Sequence, residues 1–141
     1  MKNIRIYIAG PLFSQAELEF NEKLNGYLLS NGFSTFLPQK DGYKLSDLGK
    51  DADPKEASMV IFTYDLEELK KSDILVCIMD GRVPDEGACV ELGIAYAWGK
   101  ECYGLKTDTR SVIHAQDNPM ITGAVKGRIA DSFGSLVSLI R

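Results

Sequence analysis

An α/β fold, with helices on both faces of a parallel sheet, is predicted by two features of the 141-residue sequence. Short apolar or β-branched runs alternate with longer segments of helical spacing, the order that parallel sheets require. In addition, Ile74-Leu-Val-Cys-Ile-Met79 is apolar without alternation, as expected of a strand buried on both faces. The length suits one domain, residues 1–141, with a core of useful size.

The elements follow in order. Ile4–Ala9 reads as a strand that ends at the Gly10-Pro11 turn. Ser14, with Glu17 three residues on, has the pattern of a capping box. The helix after it carries Leu18, Leu24, Tyr27 and Leu28 on one side and stops at Asn31-Gly32. Phe33–Leu37 is a second short strand. Residues 38–54 form a long polar loop, a class of segment that is usually functional. A helix starts at Pro54, a suitable first-turn proline, and runs to Lys71. The buried strand Ile74–Met79 comes next, then a loop and a helix from about Pro84 to Gly99. Glu101–Leu105 is a fourth strand, and Lys106–Asn118 a polar loop. Met120–Lys126 forms a short helix, Arg128–Ala130 a short strand, and the tail to Arg141 a final helix.

Composition excludes several functions. A net charge of −4 argues against a duplex nucleic-acid binder, which needs a basic face. No Lys/Arg cluster is long enough to hold a membrane surface, and no apolar run approaches the ~20 residues of a membrane helix. The N-terminus lacks the apolar core of a signal peptide. Cys77, Cys89 and Cys102 are odd in number, lack CxxC spacing and lie in apolar runs, so buried reduced thiols and a cytoplasmic setting are expected. With His114 as the single histidine, neither a histidine metal site nor a Ser-His-Asp triad is available. His114 receives no role, and no metal is expected. Gly10-Pro11 belongs to neither a Walker nor a GxGxxG loop, so no cofactor is expected either.

Ligands of open parallel sheets bind beyond the carboxyl ends of the strands. There the sequence gathers Tyr7, Gly10, Gln39, Asp41, Asp80, Asp85 and Glu91. Glu91 is unusual, with Gly87 and Ala88 one helical turn before it and Ile94 and Ala95 one turn after. It is either a solvated helix residue or a carboxylate kept for chemistry. Acids converging on a cleft without histidine or cysteine motifs suggest glycosyl chemistry. An oxocarbenium-like transition state needs a negative group on one face and a proton donor at the leaving group. Taken alone, Tyr7 reads as a core residue.

Tyr7-Ile-Ala-Gly-Pro-Leu-Phe13, Asp65-Leu66 and Asp85-Glu-Gly-Ala-Cys-Val-Glu-Leu-Gly93 resemble the nucleoside 2-deoxyribosyltransferase family. The likeness extends to Gly99-Lys100 and Asn118-Pro-Met-Ile121, so it covers most of the chain. It implies a flavodoxin-like doubly wound sandwich with a five-stranded, mostly parallel sheet. It also implies exchange of the base of a 2′-deoxyribonucleoside for another free base, a step of nucleoside salvage. By this resemblance Glu91 is the nucleophile, Tyr7 orients it, and Asp65 donates a proton to the leaving base. Asp85 binds the sugar 5′-hydroxyl and Phe13 packs on the base, while Gly10, Gly87 and Met120 also contact substrate. Asn118 reaches the 5′-hydroxyl in a neighbouring subunit's site, which implies a homo-oligomer. The partners are then nucleosides and nucleobases, with neither a nucleic-acid polymer nor a membrane. A glutamine that some members carry in the second loop has no clear equivalent here; Gln39 or Asp41 would replace it.

Two other readings stay open. A related group hydrolyses the glycosidic bond of nucleoside 5′-monophosphates and has serines where Asp85 and Asn118 stand. An aspartate at ~4 Å from a phosphate, at an effective dielectric of ~20, costs on the order of 4 kcal/mol per charge pair, which favours nucleosides. An N-glycosidase acting on deoxyribonucleosides escapes that objection. The other reading is a non-catalytic nucleoside or nucleotide sensor, for which a nucleophile at Glu91 serves no purpose.

Overall fold

The computed structural model describes residues 2–108, 110 and 117–141. Five parallel strands form one sheet in the order β2-β1-β3-β4-β5. They are β1 (Arg5–Ala9), β2 (Ser34–Phe36), β3 (Ile74–Ile78), β4 (Glu101–Leu105) and β5 (Ile129–Ala130). The chain winds outward from β1 to β2, then returns to place β3 on the other side of β1. The switch point therefore lies above the carboxyl ends of β1 and β3.

Side-chain alternation along the strands assigns the two faces. Ile6, Ile8, Val76 and Ile78 pack with Leu24 and Leu28 of α1 (Gln15–Ser30) and with Leu136 and Val137 of α6 (Phe133–Ile140). Tyr7, Ala9, Leu75, Cys77 and Met79 point the other way. They meet Leu69 of α3 (Pro54–Lys71), Ala88, Leu92 and Ala95 of α4 (Glu86–Ala97), and Ile121 of α5 (Pro119–Ala124). Every residue of β3 is buried, in line with its unbroken apolar run. The alternation thus sends Tyr7 toward the helix that carries Glu91.

Local signals act as expected at the helix starts. Ser14 accepts from the Glu17 amide while Glu17 accepts from the Ser14 amide, the reciprocal box. Asp53 caps α3, with Pro54 in its first turn, and Asp85 caps α4. Gly10 ends β1 where a Cβ would lie 2.8 Å from Cβ of Ile78, so only glycine admits this approach of β1 to β3.

Three expectations need correction. Residues 38–54 are not a continuous loop, because α2 (Pro38–Asp41) and a 3-10 turn (Leu45–Leu48) lie within them. Pro38 supplies a pre-set first turn, and the Asp41 carboxylate accepts from the Leu37 amide at 2.9 Å. The same start shortens β2 at its end. Cys89 is only half-buried, since it flanks the Ala88–Leu92–Ala95 stripe that meets the sheet; Cys77 and Cys102 are buried. All three are free thiols. Among the described residues no helix is long and apolar enough to cross a membrane. His114 and the middle of the Lys106–Asn118 loop lie outside the described residues.

Candidate active site

Helices α3 and α4 lie side by side on the Tyr7 face and leave a groove of about 410 Å³ between them. Ser58, Ile61, Phe62, Asp65, Leu66 and Leu69 form one wall; Gly87, Val90, Glu91 and Ile94 form the other. The α4 wall is a single helical stripe, flanking the one that meets the sheet. Glu91 thus sits at the seam between core and groove, opposite Asp65. Both acids are half-buried, in a cleft lined mostly by apolar side chains.

This setting changes how the groups titrate. Burial pushes the Glu91 carboxyl up to about 7, and the charges of Asp65 and Asp85 add to the rise. The nearby Tyr7 hydroxyl acts in the opposite sense and lowers it. Burial likewise pushes Asp65 up to about 6, with Glu68 adding like-charge repulsion. Burial and the nearby Glu91 charge hold the Tyr7 phenol far above its usual range, so it stays a neutral donor. Burial also raises Cys77 far above the ordinary thiol range and Cys102 to about 11. Burial and the Asp85 charge raise Cys89 too, and it does not line the groove, so among the described residues the carboxylates are the available nucleophiles there.

Tyr7 is fully buried, and its Oη and Oε2 of Glu91 are both buried without a hydrogen-bond partner. The phenol is thus near enough to influence the carboxylate yet not in bonding geometry with it. A buried polar atom left without a partner costs roughly 1–3 kcal/mol.

The raised Glu91 pKa has a consequence for stability. With about 4.5 unfolded and about 7 folded, this group favours the fold most below 4.5 and progressively less as pH rises to 7. The cost at neutral pH is on the order of 3 kcal/mol. Glu91→Gln is therefore expected to melt several degrees above the unsubstituted protein at pH 8, with the gain vanishing near pH 4. Thermal denaturation followed by circular dichroism checks this, and a gain independent of pH would count against it.

The other expected residues divide. Asp85 is half-buried at the start of α4, where Oδ2 accepts from the Ala88 amide at 2.9 Å. Among the described residues its Oδ1 accepts no hydrogen bond. Gly87 lines the groove, and its open position leaves room beside the Asp85 carboxylate, 3.3 Å from where a Cβ would stand. Gly10 follows β1 against Ile78 and does not line the groove. Gln39 is not brought to the groove. Its Oε1 accepts from Asn21 at 2.9 Å and its Nε2 donates to the Leu18 carbonyl at 3.0 Å, tying α2 to α1. Phe13 is 78% exposed and does not line the groove. Asn118 caps α5 through the Met120 amide, and both residues are exposed, with Met120 at 82%. Neither reaches the groove of its own chain.

Reasoning from sequence missed Phe62 and Val90, which flank the groove half-exposed on opposite walls. Phe62 stands one turn before Asp65 and Val90 next to Glu91, so helical spacing from the two acids was the available signal.

Comparison with known proteins agrees with this architecture. Residues 6–140 match the family model described as nucleoside 2-deoxyribosyltransferase. A protein of Ureaplasma parvum serovar 3, described as uncharacterized, is 28% identical over 138 residues, covering 91% of this chain and 84% of that one. The crystal structure of a conserved protein from Enterococcus faecalis V583 superposes with a TM-score of 0.79 at 29% identity, covering 99% of this chain and 98% of that one. The 2-deoxyribosyltransferase of the psychrotolerant bacterium Bacillus psychrosaccharolyticus gives a TM-score of 0.76 at 24% identity, over 96% and 95% of the two chains. That last likeness is one of fold.

Proposed function

Because the chain belongs to the nucleoside 2-deoxyribosyltransferase family, we propose that it moves the 2-deoxyribosyl group of a 2′-deoxyribonucleoside to another free nucleobase through a covalent glycosyl-enzyme. The observation that carries this reading is the pair of opposed acids, Asp65 and Glu91, on the two walls of one groove. The Tyr7 hydroxyl stands behind Glu91 with its hydrogen-bonding capacity unused.

In the first half-reaction a Glu91 oxygen attacks C1′ of the sugar. The C1′–N bond breaks, its electron pair passes to the base nitrogen, and Asp65 supplies the proton. In the second, a nitrogen of the incoming base attacks C1′ from the opposite face and expels the Glu91 carboxylate, while Asp65 takes up the proton that base releases. Two inversions give net retention. Like-charge repulsion across the groove favours one proton on the acid pair over two negative charges. Asp85 binds the sugar 5′-hydroxyl, and its negative charge disfavours a 5′-phosphate. Gly87 and Gly10 let the sugar approach. Phe13, Met120 and Asn118 act from the surface, the last completing a neighbour's site in a homo-oligomer. Gln39 contributes by holding α2 in place. The whole chain works as one domain, in the cytoplasm, without a metal or cofactor.

Hydrolysis is the second reading, favoured by the exposure of Phe62 and Val90, which leaves the groove open to water. It uses the same glycosyl-enzyme, with water in place of the incoming base. One assay separates the possibilities: a purine or pyrimidine deoxynucleoside is mixed with a different free base, and the products are resolved by chromatography. A new nucleoside supports transfer, and free base without exchange supports hydrolysis. If neither forms while nucleoside still binds, the protein is a sensor and both enzyme readings fall. Ribonucleosides are expected to turn over more slowly, because a 2′-hydroxyl destabilises positive charge at C1′; equal rates would refute that account.

A further inference from the structure

The Tyr7 hydroxyl approaches Glu91 without a hydrogen bond to fix it, so something other than hydrogen bonding must hold the ring. The terminal ring torsion of a tyrosine is soft, and the hydroxyl position follows wherever packing puts the ring. The packing partner is Phe36. In the parallel pairing of β1 with β2, Tyr7 and Phe36 are direct partners on the same face of the sheet. Their rings stack with centroids 5.0 Å apart and planes 28° from parallel. Phe36 is itself held from behind, because its centroid lies 6.2 Å from that of Tyr64, the chain neighbour of Asp65. Tyr64 is anchored in turn, with Tyr43 edge-on at 5.9 Å and its hydroxyl donating to the Asp41 carbonyl at 3.2 Å. One stack of aromatic rings thus runs from the residue behind Glu91 to the helix that bears Asp65.

We propose that Phe36 is a positioning residue: stacked beside Tyr7 and braced by Tyr64, it holds the Tyr7 hydroxyl toward Glu91. Phe36 is buried and lines no part of the groove, so it acts through Tyr7 and does not meet the substrate. Among the described residues, the titratable groups that act on or feel Glu91 are Tyr7 from β1, Cys77 from β3, Asp65 from α3 and Asp85 from the start of α4. Of these, Tyr7 alone lowers its pKa, so a displaced ring is read directly at that carboxyl.

The test is a carbon-13 NMR titration of the Glu91 side-chain carboxyl, which needs no turnover. It therefore stands apart from the proposed transferase activity, on which only the kinetic arm below rests. Tyr7→Phe removes the donor and is expected to raise the Glu91 pKa by roughly half to one pH unit. Phe36→Leu is expected to raise it in the same sense, and Phe36→Tyr, which keeps a ring in the stack, to restore it. In the double variant Tyr7→Phe/Phe36→Leu the rise should equal that of Tyr7→Phe alone, because both changes act through one hydroxyl. If Phe36→Leu fails to fold, Phe36→Met, closer in volume, takes its place. In the kinetic arm, raising the higher pKa of the acid pair should lower the optimum kcat for base exchange and move its alkaline limb to higher pH in Phe36→Leu, and both should return in Phe36→Tyr. An unchanged Glu91 titration in folded Phe36→Leu would overturn the proposal. So would additive shifts in the double variant, which would mean that Phe36 acts on Glu91 through burial alone.

Discussion

Replacing Glu91 by alanine is expected to slow base exchange by at least about 10³-fold while leaving the protein folded. The loss should be this large because, among the described residues, no other side chain on the Glu91 wall of the groove can form the glycosyl ester. Asp65 stands on the opposite wall, and the buried thiols are protonated at neutral pH. The fold should survive for an equally physical reason. Alanine is the best helix former at an α4 position, and its methyl relieves the burial that now raises the Glu91 pKa. Chromatographic rates together with a melting curve give both readouts. Intact mass spectrometry of acid-quenched reactions adds a third, in which an added deoxyribosyl group should appear in the unsubstituted protein and be missing from Glu91→Ala. Exchange within tenfold of the unsubstituted rate would remove Glu91 from the mechanism.

The second large effect is expected at Asp65. Asp65→Asn takes away the proton needed by the leaving base and should cost about 10²–10⁴-fold. The pH profile then identifies the role. With Glu91 at about 7 and Asp65 at about 6, the pair passes through its singly protonated state across this interval. Rates should fall on the acid side as Glu91 gains a proton and on the alkaline side as Asp65 loses one. In Asp65→Asn no proton remains to be lost, so the alkaline limb should vanish. The Glu91 carboxyl itself should titrate at lower pH, because the Asp65 charge that raises its pKa is gone. A slower enzyme with both limbs in place would show that Asp65 shapes the groove without donating a proton.

How readily each part of the site could be read from sequence follows the range of the forces that form it. The Ser14–Glu17 box and the proline start of α3 depend on residues three or four apart, and they stand where their patterns indicate. β3 is plain from its apolar run because burial on both faces leaves no alternation. α2 was harder, since a four-residue helix carries no periodicity and depends on Pro38 and a bond from the Leu37 amide to the Asp41 side chain. Gln39 was misleading for a related reason: its partners, Asn21 and Leu18, lie on α1 and leave no trace near Gln39 in the chain. Phe62 and Phe36 resemble ordinary core positions until the groove and the aromatic stack exist.

The α/β alternation, the parallel sheet, the helix that carries Glu91 and, by resemblance, the family are all legible along the chain. These rest on local spacing and on the apolar runs that burial demands. Packing in three dimensions sets Glu91 and Asp65 across one groove with Tyr7 behind, while Phe13 and Gln39 are turned elsewhere. Facing depends on how α3 and α4 rotate and pack on one side of the sheet, after the chain has crossed from β2 past β1 to β3. That packing is settled by contacts between residues far apart in the chain, which no local spacing encodes.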